Sequence, residues 1–343
     1  MTLRFVDSFD HYATADFLLK WDSINNATQL SINSAAGRRS TNGLRITAAQ
    51  LRYLVKNLTA AQTWIVGFAL NITLPVSTTT GILSFLESGT THVDIRVLSD
   101  GSLRATRNGT TLGTSAAGII ASGSFNYIEV KCTIDNSAGA VTIRVNGAAV
   151  LTLTSQDTQN GGTAVANQIR LGDPINDTGA ARDYDDLYIC DTAGSVNNDF
   201  LGDVRVDAYL PSGNGNSSQL VGSDSNSTDN YLLVDETAPD SDTTYVQSST
   251  ATNKDTYVFP NMSHTPSAIH GVQINAIAKK DDAGTRSLAT VVRSNGSDTD
   301  GTSQALSTSY LNYRQIHETD PDTAAAWIKA GFDAAEFGVK VAA

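Results

Sequence analysis

The sequence predicts an all-β protein of two antiparallel β-sandwich domains joined by a polar crossing, on three observations. Apolar residues recur with a period of two through most of the chain. Asn-Gly and Asp-Gly pairs punctuate those runs. At 343 residues the chain is also longer than one ordinary core usually serves.

The alternation is plainest in the first half. Trp64, Val66, Phe68, Leu70 and Ile72 form one run. Val93, Ile95 and Val97 form the next, with Asp94 and Arg96 between them. Val141, Ile143 and Val145 follow, with Thr142 and Arg144 pointing the other way. Strict alternation means one buried and one wet face, the habit of antiparallel sheets. Asp100-Gly101, Asn108-Gly109 and Asn146-Gly147 sit between such runs. Each pair tolerates the positive φ that a tight type I′ hairpin requires. One short helix is expected, over 13–20.

A composition change follows residue 195. Val204–Leu210 still reads as a strand, but 211–218 and 223–230 are small and polar and hold no core of their own. The expected domains are therefore 1–195, a strand plus linker over 196–240, and a smaller sandwich over 241–343. In that last part Thr256–Phe259 is a strand. Val272–Ala276 and Leu288–Arg293 are expected to pair through the Lys279–Gly284 turn. Tyr310–Glu318 and Glu336–Val341 complete the set. Residues 320–329 suit a capped helical turn, with Pro321 near its start and Trp327 inward.

Charge narrows the partners. The formal net charge is −12, which disfavours nucleic acid, and no apolar run reaches the roughly 20 residues of a membrane helix. The acidity is mostly Asp, a turn and cap residue. Glu occurs only at 87, 129, 236, 318 and 336. No apolar stretch follows the N-terminus, so no secretory signal is expected. Cys132 shares an alternating face with Ile128, Val130 and Ile134 and reads as a small buried hydrophobe; a bridge to Cys190 is left open.

Four segments stand in a telling order: Phe125–Val130, Val141–Gly147, Ile169–Gly172 and Tyr184–Ile189. Together they resemble the laminin-G-like, or concanavalin-like, jelly-roll family, which implies that fold for the first domain. The fold hosts lectins, adhesins, glycosidases and plain structural modules. A second resemblance rests on Asn197–Val206, Lys280–Ser287 and Ala334–Lys340. These are similar to segments of tailed-bacteriophage virion proteins, in which a jelly roll, a polar crossing and a second β domain recur. That resemblance implies a structural component of the particle, at the tail, fibre, baseplate or capsid surface. It implies synthesis in the host bacterial cytoplasm, other virion proteins as partners, a homo-oligomer (a trimer favoured) and a host-surface glycan as a further partner.

The residues themselves argue against catalysis. Sandwich glycosidases carry alternating carboxylates on one strand, about 5–5.5 Å apart for a retaining reaction. Here Glu318 and Glu336 are far apart in sequence and outside the first domain, so no catalytic residue is assigned and an enzyme is not expected. A carbohydrate-binding adhesin is the rival reading, and a glycan hydrolase is the least favoured. His11, His92, His264, His270 and His317 make no zinc-binding spacing, and no cofactor is assigned. Calcium is the one ion partly provided for: Asp298-Thr299-Asp300-Gly301 resembles the start of a calcium loop without its terminal Glu, and Asp185/Asp186 form a second acidic pair. Asp183 belongs to the same acidic run. Trp21, Tyr53 and Tyr184 are the aromatics whose type suits a sugar contact.

Overall fold

The computed structural model describes residues 2–39, 41–47, 51–76, 79–173 and 180–343. The protein is all-β, with antiparallel sheets in sandwich arrangements and few helices. Chain packing divides it into Met1–Asp207 and Ala208–Ala343. Among the described residues, no helix is long and apolar enough to cross a membrane.

The first unit holds fifteen strands among the described residues. These are β1 (Leu3–Asp7), β2 (Ser23–Asn25), β3 (Leu30–Asn33), β4 (Gly43–Ile46), β5 (Arg52–Ala61), β6 (Thr63–Ile72), β7 (Thr79–Glu87) and β8 (Thr90–Leu98). There follow β9 (Leu103–Arg107), β10 (Thr110–Thr114), β11 (Phe125–Thr133), β12 (Gly139–Val145), β13 (Ala148–Gln156), β14 (Ala166–Asp173) and β15 (Arg182–Asp191). The helix expected over 13–20 is a 3-10 turn, Thr14–Asp16, running into α1 (Phe17–Lys20). Sheet A runs β13-β12-β11-β6-β15-β4-β3, with β1 also on β15, and sheet B runs β10-β9-β8-β7-β14-β5-β2.

The alternating runs supply the core between the sheets. Trp64, Val66, Phe68 and Leu70 of β6 meet Val93, Ile95 and Val97 of β8 and Ile169 and Leu171 of β14 in one buried cluster. Two polar ties cross it: the Trp64 indole donates to the Ala166 carbonyl (2.9 Å), and the Tyr184 hydroxyl to the Ile82 carbonyl (3.0 Å). A buried indole or phenol needs such a partner.

Asn108-Gly109 and Asn146-Gly147 are positive in φ at both residues, as the hairpin reading requires. Asp100-Gly101 differs. Only Gly101 is left-handed, because the Asp100 carboxylate instead caps the Ser102 amide (3.0 Å) and hydroxyl (2.7 Å).

The cysteine question is settled by register. Cys132 lies opposite Trp64 and Cys190 opposite Ile65, on the two strands flanking β6. Neighbouring residues of a strand point to opposite faces, so the thiols face apart across roughly 10 Å. Both are buried, and neither forms a disulfide.

Sheet A's outer face is covered by residues 197–206. Tyr188 lies flat over Gly67, where a Cβ would sit 2.6 Å from the ring's Cζ and 2.8 Å from Cδ1. Its hydroxyl bonds the Glu129 carboxyl (2.6 Å). The Leu201 amide donates to that hydroxyl (3.2 Å), and the Gly202 amide to the same Glu129 oxygen (2.8 Å). Arg144 stacks over Phe200 at 4.0 Å, and Arg38 forks onto Asp203 at 2.5 and 2.6 Å. Val204–Leu210, expected as a strand, has no ladder. The Val206 amide is taken by the Asp186 carboxylate (2.8 Å), a side chain in place of a neighbouring strand.

The second unit holds β16 (Gly213–Ser218), β17 (Val221–Gly222), β18 (Val246–Gln247), β19 (Lys254–Val258), β20 (Val272–Ala278), β21 (Ser287–Ser294), β22 (Ser297–Asp300), β23 (Gln304–Ala305), β24 (Leu311–His317) and β25 (Glu336–Val341). Its largest sheet runs β16-β19-β25-β21-β22, with β23 also on β21. The polar stretch 213–218 is thus an edge strand. It is held by side chains: Glu336 accepts the Asn216 amide (2.7 Å), Thr256 the Ser217 amide (3.1 Å), and Asp255 the Gln219 and Leu220 amides (2.6 and 2.8 Å).

Two further expectations are corrected here. β20 pairs with β24 and not with β21, because Lys280 leaves the turn to donate its amide to the Ser307 carbonyl (2.8 Å). The capped turn expected over 320–329 is present only at its start, where the Asp320 carbonyl accepts the Ala324 amide (2.8 Å) and its carboxylate the Asp322 amide (3.0 Å). The Ile269–Trp327 and Thr319–Ala326 bridges then end it, and the helix itself lies later, at α2 (Lys329–Ala334). Trp327 does pack inward, with Phe332, Phe337, Val292 and Ile274.

Candidate functional site

Sheet B carries the polar surface of greatest chemical interest. Val93, Ile95, Leu83, Phe85, Ile169, Leu171, Leu103 and Ala105 face the core, so the residues between them face outward. Register then places Thr106, Asp94, Ser84, Arg170 and Val55 side by side across five strands. Arg104 and Arg96 are paired in the next row, and Gly172 and Tyr53 on the far side.

This outward face is well packed. Ser84 is fully buried, and Thr106, Asp94, Arg96 and Arg170 are each less than 9% exposed. Asp94 accepts from the Ser84 hydroxyl (2.7 Å) and, more distantly, from Arg96 (3.4 Å). The Arg170 guanidinium stacks on the Tyr53 ring at 4.5 Å and reaches the Thr91 hydroxyl at 3.3 Å. Burial pushes its pKa down from the usual arginine value. Two atoms of the face, Arg170 Nε and Thr106 Oγ1, are buried without a hydrogen-bond partner among the described residues.

The loop 159–165 borders the face. His92 is clamped there between the Asn160 amide (2.9 Å) and the Val165 carbonyl (3.0 Å). Burial lowers its pKa, against the opposing pull of the Val165 bond and of Glu87. Glu87 is itself held ionised by the Thr163 hydroxyl and amide.

The sequence-selected residues scatter. Trp21 is a core residue, stacked with Phe9 and edge-on to Phe5, its indole bonded to Asp7 (3.1 Å). Tyr184 is wholly buried. Tyr53 alone of the three aromatics lies on the polar face. Asp298 is gripped by Lys254 and by Arg293 (2.8 Å); burial opposes its ionisation, but those two bonds outweigh it and hold its pKa below the usual range. Asp300 is bound by Lys340. Asp183 is forked by Arg45 at 2.7 and 2.9 Å. Asp186 meets Arg39 (2.5 Å) and Arg38 (3.3 Å). Asp185 accepts the Arg38 amide (2.7 Å), yet burial and the nearby Asp186 push its pKa up to about 7. Among the described residues no three or more His, Cys, Asp or Glu gather as a metal site. His11 touches Lys20, and burial drives its pKa down to about 3. Glu336 is tied to Thr256 (2.6 Å) and the Asn216 amide.

Sequence reasoning passed over Arg96, Arg104, Arg170, Ser84 and Thr106. The alternation of Asp94 and Arg96 was a visible signal, but their neighbours on one face come from other strands, Arg170 among them from far along the chain.

No protein-family model and no curated protein matches this sequence. Solved structures give distant similarity to concanavalin-like jelly-roll proteins. The alginate lyase Aly36B aligns over 52% of this chain and 91% of its own, at 12% identity and a TM-score of 0.37. A sialidase aligns over 56% of this chain but 19% of its own, at 13% identity and 0.42. The alginate lyase AlgAT5, of polysaccharide lyase family 7, covers 49% of this chain and 84% of its own, at 12% and 0.36. The likeness extends to the arrangement of strands and no further.

Proposed function

We propose that this chain is a structural component of a tailed-phage particle, at the tail, fibre, baseplate or capsid surface, acting by assembly and by recognising a host-surface glycan, without turnover. It works as a homo-oligomer, a trimer favoured, alongside other virion proteins. The sequence resemblance supports the particle assignment, and its three segments have architectural roles. Residues 197–206 fasten the outer face of sheet A. Lys280–Ser287 leads into β21, and Ala334–Lys340 runs through β25.

The observation that carries the non-catalytic half is the state of the polar face. Its carboxylate, Asp94, is occupied by Ser84 and Arg96, and the bordering imidazole, His92, has both ring nitrogens engaged. A general acid or base must reach a substrate proton, and groups tied in this way do not. The polar face itself favours a recognition role, so a glycan-binding adhesin of the same fold is the second reading.

Immunogold labelling of purified particles tests the assignment. Labelling at one station, with a trimer mass in analytical ultracentrifugation of the free chain, is the expected result. A chain that never co-purifies with particles defeats it. Cleavage of a bacterial surface polysaccharide, abolished by Asp94→Asn, defeats the non-catalytic half.

A further inference from the structure

We propose that the outward face of sheet B binds an acidic oligosaccharide, with Arg170 and Arg96 taking its carboxylate or sulfate groups and Thr106 a hydroxyl. The inference rests on the recognition half of the reading above and names the chemistry recognised.

Charge is the first ground. The chain carries a net −12, yet this face gathers three arginines, Arg96, Arg104 and Arg170, against two nearby carboxylates, Asp94 within the row and Asp100 at the Arg104 end. Asp94 attracts Arg170 through space, but its hydrogen bonds go to Ser84 and Arg96, so the Arg170 fork has no carboxylate bonded to it among the described residues.

Burial is the second. Arg170 is 8% exposed, its Nε lacks a partner among the described residues, and its one hydrogen bond, to Thr91, is long at 3.3 Å. Thr106 is 4% exposed, and its hydroxyl is likewise unpartnered. A buried guanidinium with no carboxylate hydrogen-bonded to its fork is costly, and an anion with planar oxygens fits that fork. Tyr53 holds the guanidinium plane from one side, which fixes where those oxygens must come.

Geometry selects the class. From β9 to β5 the row spans four inter-strand spacings, roughly 19 Å, the reach of a short oligosaccharide. Arg96 and Arg170 lie two strands apart, on the order of 10 Å, so one free anion does not engage both. The overall negative charge repels a densely charged polynucleotide.

The test is isothermal titration calorimetry on the full chain with tetragalacturonate, a sulfated tetrasaccharide, maltotetraose, sodium sulfate and a short single-stranded DNA. One or both acidic oligosaccharides should bind at least roughly tenfold more tightly than maltotetraose, weakening as salt rises. Arg170→Gln and Arg96→Gln should each loosen that binding by roughly tenfold or more. Arg104→Gln, at the half-exposed rim, should loosen it by roughly threefold and keeps the test valid if a buried variant fails to fold. Binding by neither acidic oligosaccharide, equal binding of maltotetraose, equal binding of sulfate alone, or tighter binding of DNA each overturns the proposal. Unlabelled particles with intact glycan binding overturn only the particle assignment; labelled particles without glycan binding overturn only this inference.

Discussion

Gly67 offers a direct test of how sheet A is covered. A Cβ at this position runs into the Tyr188 ring, and Tyr188 is 1% exposed, so the ring has no solvent to retreat into. Forcing an extra carbon into such packing costs about 1–3 kcal/mol. The ring's displacement also pulls its hydroxyl from Glu129 and from the Leu201 amide. Stranding those buried groups adds about 1–3 kcal/mol. Gly67→Ala should therefore destabilise the first unit by about 2–6 kcal/mol, lowering its melting temperature by roughly 10 °C. Denaturation followed by tryptophan fluorescence reads the loss, and hydrogen exchange at Leu201 and Gly202 reads the release of 197–206. Tyr188→Leu should cost less in the Gly67→Ala background than alone, since the clash is then already relieved. A Gly67→Ala chain within about 0.5 kcal/mol of the parent would refute the reasoning.

Other consequences concern acid, thiol and polar sites. Burial, chiefly, pushes the Asp185 pKa up to about 7 and that of Asp10 to about 6. Raised carboxyl pKa values mean the folded state binds the extra protons, so their contribution is full below about pH 4 and is lost as pH rises through 6 to 7. Asp185→Asn should flatten the stability-versus-pH curve over pH 5–7 by up to about 1.4 kcal/mol per unit, and an unchanged slope in urea titrations counts against this. Both cysteines should resist a thiol reagent until the chain unfolds, since burial drives the Cys132 thiol pKa up; rapid labelling of the native chain contradicts their placement. Asp255 accepts four hydrogen bonds, from the Gln219 and Leu220 amides, Asn230 and Tyr257. Asp255→Asn should cost the second unit about 2–4 kcal/mol, seen as faster exchange in β16 and β19; an unaltered exchange pattern rules it out. Trp64→Phe strands the Ala166 carbonyl and leaves a void, for about 2–4 kcal/mol by chemical denaturation; a loss under about 0.5 would mean the tie is idle.

What the sequence made legible follows from how local each signal is. β6, β8 and β12 were readable because each carries its own alternation, and the Asn-Gly turns because their φ demand is local. β16 was not readable, because amides within it are held by Thr256 and Glu336, which lie far along the chain. The pairing of β20 with β24 escaped for a similar reason: the Lys279–Gly284 segment has turn composition, but a carbonyl twenty-odd residues ahead captures its backbone. For the polar face, residue type alone treated Trp21, Tyr53 and Tyr184 alike. Only the register separates Tyr53 from two core residues and brings Arg170 onto it.

The position of β15 has a consequence for synthesis. It fills the middle of sheet A, between β6 on one side and β4 and β1 on the other. While the ribosome makes residues 73–181, β6 lacks its β15 partner throughout and gains β11 on the other edge only once residues 125–133 are made, and β1 awaits β15, its strand partner. At about 5–20 residues per second that interval lasts on the order of ten seconds. An apolar strand edge open for so long invites pairing with another nascent chain. Yield of the folded protein should therefore depend on chaperone supply, and nascent chains stalled before Arg182 should aggregate where those stalled after the 197–206 strap do not.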